Sequence, residues 1–343
     1  MNIDFSSLPQ PVTPEDIKAY EASLSSQNAG STKMHTAGRA FMVAVLIASF
    51  FFLAMSLRDI ASGSGSNSMG FVVMFLFGGL MVAVFIAASR YRKRELARLY
   101  RFTQQNNAQL IVNKVNPGYA GCIFEEGDNR VISEAVVFPD GKEIGNYQYT
   151  KGSGKNRRTF TWGYMRVKLV RRLPHMLLDA KKNNLFGTFS NLPSSFSKNQ
   201  TIKLEGNFNE HFTLYAPVGY EQDAFYVFTP DVMSALIDFG ALYDIEVVDD
   251  SLIFYSTMPI RFGADQVLQK AHEVLDKIST ELIDQGDYYA DANVGNRAAN
   301  IIAEPGRRLK SRFGFVTLFL VIIFILFSQA STIYSIFLTI TQQ

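Results

Sequence analysis

Three blocks of consecutive apolar residues stand out along an otherwise mixed chain, at residues 40–57, 70–89 and 313–335. A helix rises about 1.5 Å per residue, so the second and third blocks can cross a hydrocarbon core of about 30 Å, and the first, with 18 residues, lies at the short end of the usual range. The pattern predicts three transmembrane α-helices. The first two are joined by residues 58–69, a short Gly/Ser-rich loop, and are therefore expected to form an antiparallel hairpin. Gly78-Gly79 could let their backbones approach closely.

Basic residues are concentrated where the second block ends and where the third begins. Because basic residues flank membrane helices on the cytoplasmic side, residues 90–312 and the N-terminus are predicted to be cytoplasmic, and the tail 336–343 external. The basic segments are a juxtamembrane helix, 90–106, and the short stretch 307–312. The membrane-edge anchors are predicted to be Arg90, Arg92, Lys93, Arg94, Arg307, Arg308, Lys310 and Arg312.

Residues 1–39 are polar and contain one helix signal. A threonine cap, a proline and two acids occupy positions 13–16, and Ile17, Tyr20 and Leu24 then share one face. So short a helix is marginal in water, which favours a disordered cytoplasmic tail unless this amphipathic helix docks on the rest of the protein.

Residues 107–306 alternate in the way that strands do, and helical periodicity comes late. Strands followed by helices predict an α+β domain with a mostly antiparallel sheet. Helices are predicted from Thr229 to Phe239 and over residues 264–283. The predicted strands are residues 109–115, 121–125, 131–138, 142–150, 157–171, 176–180, 201–206, 212–216, 224–229, 244–248 and 252–257.

Composition narrows the chemistry. The 343 residues carry a net charge of +2 and one cysteine, Cys122, so neither a disulfide nor a cysteine zinc site holds the fold. The positive charge lies at the membrane edges, and no nucleic-acid partner is expected. The four histidines show no metal-ligand spacing, and the sequence predicts no metal, no cofactor and no catalytic residue.

The turn between the fourth and fifth predicted strands mixes cations with aromatic residues. Its glycines fail the phosphate-loop pattern, because Tyr149 and Asn156 occupy two required positions. The predicted contacts with anionic lipid or an acidic partner are Lys151, Lys155, Arg157, Arg158 and Trp162. The alternative, which we favour, is a solvated hairpin whose aromatic side chains pack on the sheet.

A second candidate site is the pair His175 and Asp179, four residues apart in an extended strand and so on the same side of it. The two could act as an acid and a base, although ordinary polar packing is the better interpretation.

Several short motifs occur in an order that resembles a family of membrane-anchored bacterial proteins, domain-of-unknown-function family number 3137, over roughly residues 96–284. The resemblance implies two N-terminal membrane helices followed by a cytoplasmic domain, and it carries over no catalytic residue. The motifs are Gly145-Asn146-Tyr147-Gln148-Tyr149, Arg172-Leu173-Pro174-His175-Met176, Lys203-Leu204-Glu205, Phe208, Phe212, Tyr215, Ala224, Phe228-Thr229-Pro230-Asp231-Val232-Met233, Leu236 and Ile245-Glu246.

The sequence therefore favours a non-enzymatic multi-pass protein of the cell membrane. Its cytoplasmic domain, residues 107–306, is expected to bind a membrane or cytoplasmic protein or anionic lipid of the bilayer. Two alternatives stay open: a membrane-bound enzyme of unknown reaction, and an accessory subunit of a transporter or envelope complex. Homo-oligomerisation is also left open.

Overall fold

The computed structural model describes residues 3–27, 32–63, 68–184, 190–263, 266–296 and 298–311. Arg312, the third predicted membrane helix and the tail after it lie outside these residues. The fold is α+β, and the chain forms two compact units. Unit 1 comprises Met1–Lys114, Ile132–Glu143 and Arg261–Gln269, and unit 2 comprises Val115–Val131, Ile144–Ile260 and Lys270–Gln343.

Unit 1 contains the helices α1 (Pro14–Gln27), α2 (Thr32–Ala61) and α3 (Ser68–Gln105). Two stretches, Met42–Ala61 and Met69–Gln105, are long and apolar enough to cross a membrane. The helices α2 and α3 pack side by side as an antiparallel pair. Gly78 of α3 faces Ser49 of α2 so closely that a Cβ on Gly78 would collide with the Ser49 hydroxyl, whereas Gly79 faces open space.

The N-terminal helix α1 docks on α3. Tyr20 is buried against Tyr100, with ring centroids 6.1 Å apart. The Arg101 guanidinium lies 2.8 Å from the Asp16 carboxylate and also donates to the backbone carbonyls of Ser7 and Gln10. The sequence favoured a disordered tail. These tertiary contacts supply the stabilisation that so short a helix lacks alone.

One nine-stranded sheet runs through the fold in the order β1-β2-β3-β4-β9-β8-β5-β7-β6. The strands pair antiparallel in β4–β9, β9–β8, β8–β5, β5–β7 and β7–β6. The strands are β1 (Gln109–Val115), β2 (Asp128–Val137), β3 (Glu143–Lys151), β4 (Arg158–Lys168), β5 (Met176–Ala180), β6 (Thr201–Ile202), β7 (Phe212–Tyr215), β8 (Asp244–Val248) and β9 (Ser251–Ser256).

The later helices are α4 (Phe208–His211), α5 (Glu221–Val227), α6 (Pro230–Ala235) and α7 (Val267–Gly286), and a π-helical turn, Leu236–Gly240, continues α6. In unit 2 the π-helical turn and α7 pack against β8. Leu236, Ile278 of α7 and Ile245 of β8 converge on Gly240, where an added Cβ would lie 3.0 Å from Ile245 and 3.1 Å from Ile278. Leu275, Ile278 and Leu282 form a buried apolar stripe along α7, the helix predicted over residues 264–283.

Two predicted strands are wrong. Residues 224–229 are mostly the helix α5, because Glu221 and Asp223 place acids at its N-terminus and Ala224 and Val227 bury one helical face. Residues 121–125 form a turn that begins at Gly121, whose φ of +133° is accessible to glycine but strained for other residues. The predicted strand 201–206 also shortens to β6.

Candidate functional site

The strands β5, β8 and β9 are buried on both faces, and one of these faces is polar. In β8, Asp244 and Glu246 alternate with Ile245 and Val247 and so point to the face opposite the helices. The register pairs Asp244 with Tyr255 of β9 and Glu246 with Leu177 of β5. His175 and Asp179 flank Leu177 on the same side of the chain. All of these polar side chains are buried.

Glu246 is the centre of a hydrogen-bonded network in this polar face. Its Oε1 lies 2.6 Å from Nε2 of His175, and its Oε2 accepts the backbone N–H of Cys122 at 2.8 Å and the hydroxyl of Tyr255. Burial acts to raise the pKa of Glu246, but these three donors outweigh it and hold the pKa below its ordinary value. The carboxylate is therefore charged and fully bonded.

The glycine of the turn explains how Cys122 reaches Glu246. A Cβ on Gly121 would lie 2.5 Å from the Tyr255 hydroxyl and 3.2 Å from Oε2 of Glu246. Only a residue without a side chain lets the backbone come close enough for the Cys122 N–H to donate. Burial raises the pKa of the Cys122 thiol well above its ordinary value, with the Glu246 charge adding to the effect, so this thiol is a poor nucleophile.

His175 is held on both ring nitrogens. Its Nδ1 accepts the backbone N–H of Leu309 at 3.0 Å, so Nε2 carries the proton and donates it to Glu246. His175 therefore makes no hydrogen bond to Asp179, the residue predicted to act with it as an acid–base pair. Instead His175 connects β8 to the segment around Leu309, which precedes the third predicted membrane helix. Both His175 and Asp179 are packed, at 6% and 5% exposed, which is the dry environment expected of a structural role.

Asp179 and Asp244 form a second polar group on the same face. Oδ1 of Asp244 accepts the backbone N–H of Ala180 at 2.9 Å. Burial raises the pKa of Asp244 to about 7, although the nearby side-chain amides of Asn183 and Asn191 act to lower it. Burial likewise raises the pKa of Asp179, opposed by Ser190 and Asn184. These two carboxylates therefore lack the set of donors that Glu246 has.

The predicted lipid contacts lie at the β3–β4 hairpin of unit 2. Lys155, Arg157 and Arg158 are exposed at its tip, and Lys151 pairs with Glu126 at 2.6 Å. Trp162 is different, because it is only 6% exposed and lies within the sheet. The tip therefore offers the four cations and the exposed ring of Phe160 for contact, whereas Tyr147 and Tyr149 pack inward.

The predicted membrane-edge anchors fall on two segments. Arg90, Arg92, Lys93 and Arg94 lie on α3, where Lys93 pairs with Glu21 of α1 and Arg92 lies 3.8 Å from Glu134. In unit 2, Arg308 contacts Asp249 at 2.9 Å and Arg307 contacts Glu304 at 2.8 Å. The backbone of Lys310 is held by the side chain of Gln200.

A cavity with a volume of about 510 Å³ lies in unit 1. Phe5, Leu8 and Pro9 of the N-terminal segment line it together with Arg98 and Phe262. The Arg98 guanidinium already contacts the Glu95 carboxylate at 3.4 Å and the Gly263 carbonyl at 3.3 Å. Neither this cavity nor the smaller one beside Tyr20 contains His175 or Asp179.

The roles of Glu246, Tyr255 and Asp244 could not be predicted from the sequence. One signal was available, because Asp244 and Glu246 occupy alternate positions in a predicted strand and must share a face. Their hydrogen-bond partners lie far away in the sequence, and no local pattern predicts which residues these are.

Comparison of the chain with protein-family models, with curated proteins and with solved structures gives no significant match. The resemblance to domain-of-unknown-function family number 3137 therefore stays a prediction that rests on the motifs in residues 96–284.

Proposed function

We propose that this protein is a non-enzymatic integral membrane protein that displays a cytoplasmic α+β domain for interaction with a protein partner or anionic lipid. In this proposal α2 and α3 are the first two membrane helices and residues 313–335 the third. The N-terminus and the α+β domain are cytoplasmic, and residues 336–343 are external. The protein would then be an anchored member of the bacterial family that its motifs resemble.

The observation that best supports the proposal is that the apolar side chains of α3 are exposed in its first half and buried in its last part. Along its first half, large apolar side chains such as Val73, Phe77 and Leu80 are more than half exposed. Such a continuous apolar surface is typical of contact with lipid. In the last part of the same helix Leu96, Leu99 and Phe102 are buried within unit 1. One continuous helix thus joins the proposed membrane segment to packed protein, with the basic anchors between.

The buried polar face supports a role in binding and scaffolding over one in catalysis. Glu246, His175 and Tyr255 use their hydrogen-bonding capacity on one another and on the backbone. A general acid or base must reach a substrate proton, and these groups are enclosed by packed side chains.

The predicted orientation can be tested with the single cysteine replaced by serine. In the Cys122→Ser background, we expect Ser62→Cys to react with an impermeant maleimide in intact cells. Lys155→Cys should react only after permeabilisation. The opposite labelling pattern would refute the orientation, and extraction of the protein by alkaline carbonate would refute its integration into the membrane.

Anionic lipid is the proposed contact of the four hairpin cations. Each Lys or Arg near an anionic surface contributes about 1 kcal/mol, so replacing all four with Ser should weaken binding at least tenfold. The full chain in neutral-lipid nanodiscs would be titrated with vesicles that contain phosphatidylserine, and with neutral vesicles as reference. The matched control replaces four other exposed lysines of unit 2, Lys198, Lys203, Lys270 and Lys277, with Ser. Equal binding by both variants would refute the lipid contact.

The alternative within this proposal is that the hairpin tip binds a protein. A photo-crosslinking residue at position 155, used in intact membranes, should capture one reproducible protein if the hairpin tip binds it. Capture at position 270 to the same extent would argue against the tip as the binding surface.

A further inference from the structure

The strands β5 and β8 place two buried carboxylates directly opposite each other. Their register pairs Leu178 with Ile245, and the next positions along the two strands are Asp179 and Asp244. Opposed residues of this kind have Cβ atoms about 5 Å apart, and like charges there repel. Asp244 is 0% exposed and Asp179 is 5% exposed, so water does not screen the pair. The neighbouring side-chain amides and the Lys181 ammonium offset this repulsion only in part, because the pKa of both acids stays raised.

Each of the two acids keeps one oxygen without a hydrogen bond. Oδ1 of Asp244 is satisfied by Ala180, but its Oδ2 has no partner among the described residues, and neither has Oδ1 of Asp179. A buried carboxylate oxygen left in this state costs free energy unless a donor or a cation meets it. The nearby ammonium of Lys181 donates to the Asn209 carbonyl.

Three asparagines add oxygens of the same kind. Asn183 and Asn184 lie three and four residues after the end of β5, and the amides of Asn183 and Asn191 lie beside Asp244 and that of Asn184 beside Asp179. The Oδ1 atom of each is buried and has no hydrogen-bond partner within the described ranges. The amide nitrogen of Asn183 points to the Leu242 carbonyl and that of Asn191 to the Asn183 carbonyl, at 3.4 Å each. In the described part of unit 2, these five atoms are all of the buried side-chain oxygens that lack a hydrogen-bond partner.

We propose that Asp179 and Asp244, together with the amide oxygens of Asn183, Asn184 and Asn191, form a binding site for a hard divalent cation, best matched by calcium. Calcium takes six to eight oxygen ligands, from carboxylates and amide carbonyls alike. Two carboxylates balance its charge, and the three amides bring the protein ligands to five. Magnesium holds several waters tightly, which suits these enclosed oxygens less well.

The donor set excludes softer metals at this position. Zinc sites are built from Cys, His and carboxylates, and the described residues contain no group of three such side chains that could hold a metal ion. An oxygen-only site of carboxylates and amides is selective for hard cations. A cation bound here would tie the chain after β5 to the first residue of β8.

The test uses the full chain in nanodiscs after chelation with EGTA. We expect 1 mM calcium chloride to raise the Tm by about 5 °C or more, and magnesium chloride to raise it less. As an independent readout, terbium should bind in place of calcium. Its luminescence should be excited through Tyr255, which the strand register pairs with Asp244 on the same face, and calcium should displace it.

Asp244→Asn is the decisive variant, because it removes one of two facing charges and should fold without a cation. We expect it to lose the calcium-dependent rise in Tm and at least tenfold in terbium affinity. Asn191→Ala should weaken both responses less. Asp238→Asn, at an exposed acid of unit 2, is the matched control and should respond like the unmodified chain.

Two results would overturn the proposal. One is an unmodified chain with neither a calcium-dependent change in Tm nor terbium luminescence. The other is an Asp244→Asn chain that keeps both responses. If Asp244→Asn raised the Tm equally with and without calcium while the unmodified chain ignored calcium, the two acids would share a proton and the cation site would be disproved.

Discussion

Nε2 of His175 lies 2.6 Å from Oε1 of Glu246, and the same imidazole accepts the Leu309 N–H on its other nitrogen. Glu246 in turn accepts the N–H of Cys122 and the hydroxyl of Tyr255. One buried carboxylate thus holds together β8, β9, the turn at Cys122 and the segment that precedes the third predicted membrane helix. His175, which the sequence paired with Asp179 as a possible acid and base, belongs instead to this structural network.

Glu246→Gln should destabilise the protein by about 3 kcal/mol, because a glutamine amide brings a donor to a place where three donors already converge. Urea unfolding of the full chain, followed by Trp162 fluorescence, measures the loss. Glu281→Gln, at an exposed position of α7, is the control and should cost under about 0.5 kcal/mol. Equal losses in the two variants would show that the Glu246 network does not stabilise the fold.

Gly121→Ala should cost about 3 kcal/mol of unfolding free energy. Its φ of +133° is strained for alanine, and the new methyl would lie 2.5 Å from the Tyr255 hydroxyl. Gly118→Ala separates the two causes, since Gly118 has a φ of +74° but nothing within 4 Å, and should cost only about 1 kcal/mol. A smaller loss at Gly121 than at Gly118 would contradict the close approach to Glu246.

The Asp249–Arg308 contact should give a pH-dependent contribution to stability. The hydrogen bond from Arg308 holds the pKa of Asp249 below its ordinary value, although burial opposes it. A depressed folded pKa stabilises the protein above the unfolded pKa of about 3.9, and the contribution is lost as the pH falls through the folded pKa.

Both side chains are partly exposed, so screening limits the pair to about 0.5–1 kcal/mol at pH 7. A double-mutant cycle of Asp249→Asn and Arg308→Ala, measured by unfolding at several pH values, gives this coupling energy directly. We expect the coupling to shrink as the pH falls from 5 towards 3. A coupling that grew on acidification would be inconsistent with the depressed pKa.

Gly78→Val should destabilise the pairing of α2 with α3 by about 2 kcal/mol, since the new side chain would overlap Ser49. Gly79→Val introduces the same residue one position on, where the structure places nothing within 4 Å, and should be nearly neutral. The Tm of the full chain in detergent distinguishes the two. Equal Tm values would mean that this close approach does not contribute to the hairpin.

Several elements follow from local pattern alone. The apolar blocks predicted α2 and α3 as a hairpin, and the second continues unbroken into its basic segment, as expected from helical periodicity. The strands β1 and β5, the threonine cap of α6 at Thr229 and the hairpin of β8 with β9 were also readable. For each of these elements, the residues that determine it lie within it or next to it in the sequence.

Residues 224–229 show where local pattern fails. The β-branched and aromatic residues of this stretch suit a strand, yet burial of Ala224 and Val227 on one side makes it a helix. Such differences in secondary-structure propensity contribute less free energy than the burial of one apolar helical face, so the tertiary environment determines the secondary structure here.

The sequence by itself determined which segments are apolar enough for a membrane, where the basic clusters lie and that the chain is α+β, because these depend on residues close together. Only the tertiary structure decided that His175 bonds Glu246 and not Asp179, and that Asp179 instead faces Asp244. Those partners are set by the register of β5 on β8. Register depends on how the whole sheet is buried on both faces, which no stretch of sequence specifies alone.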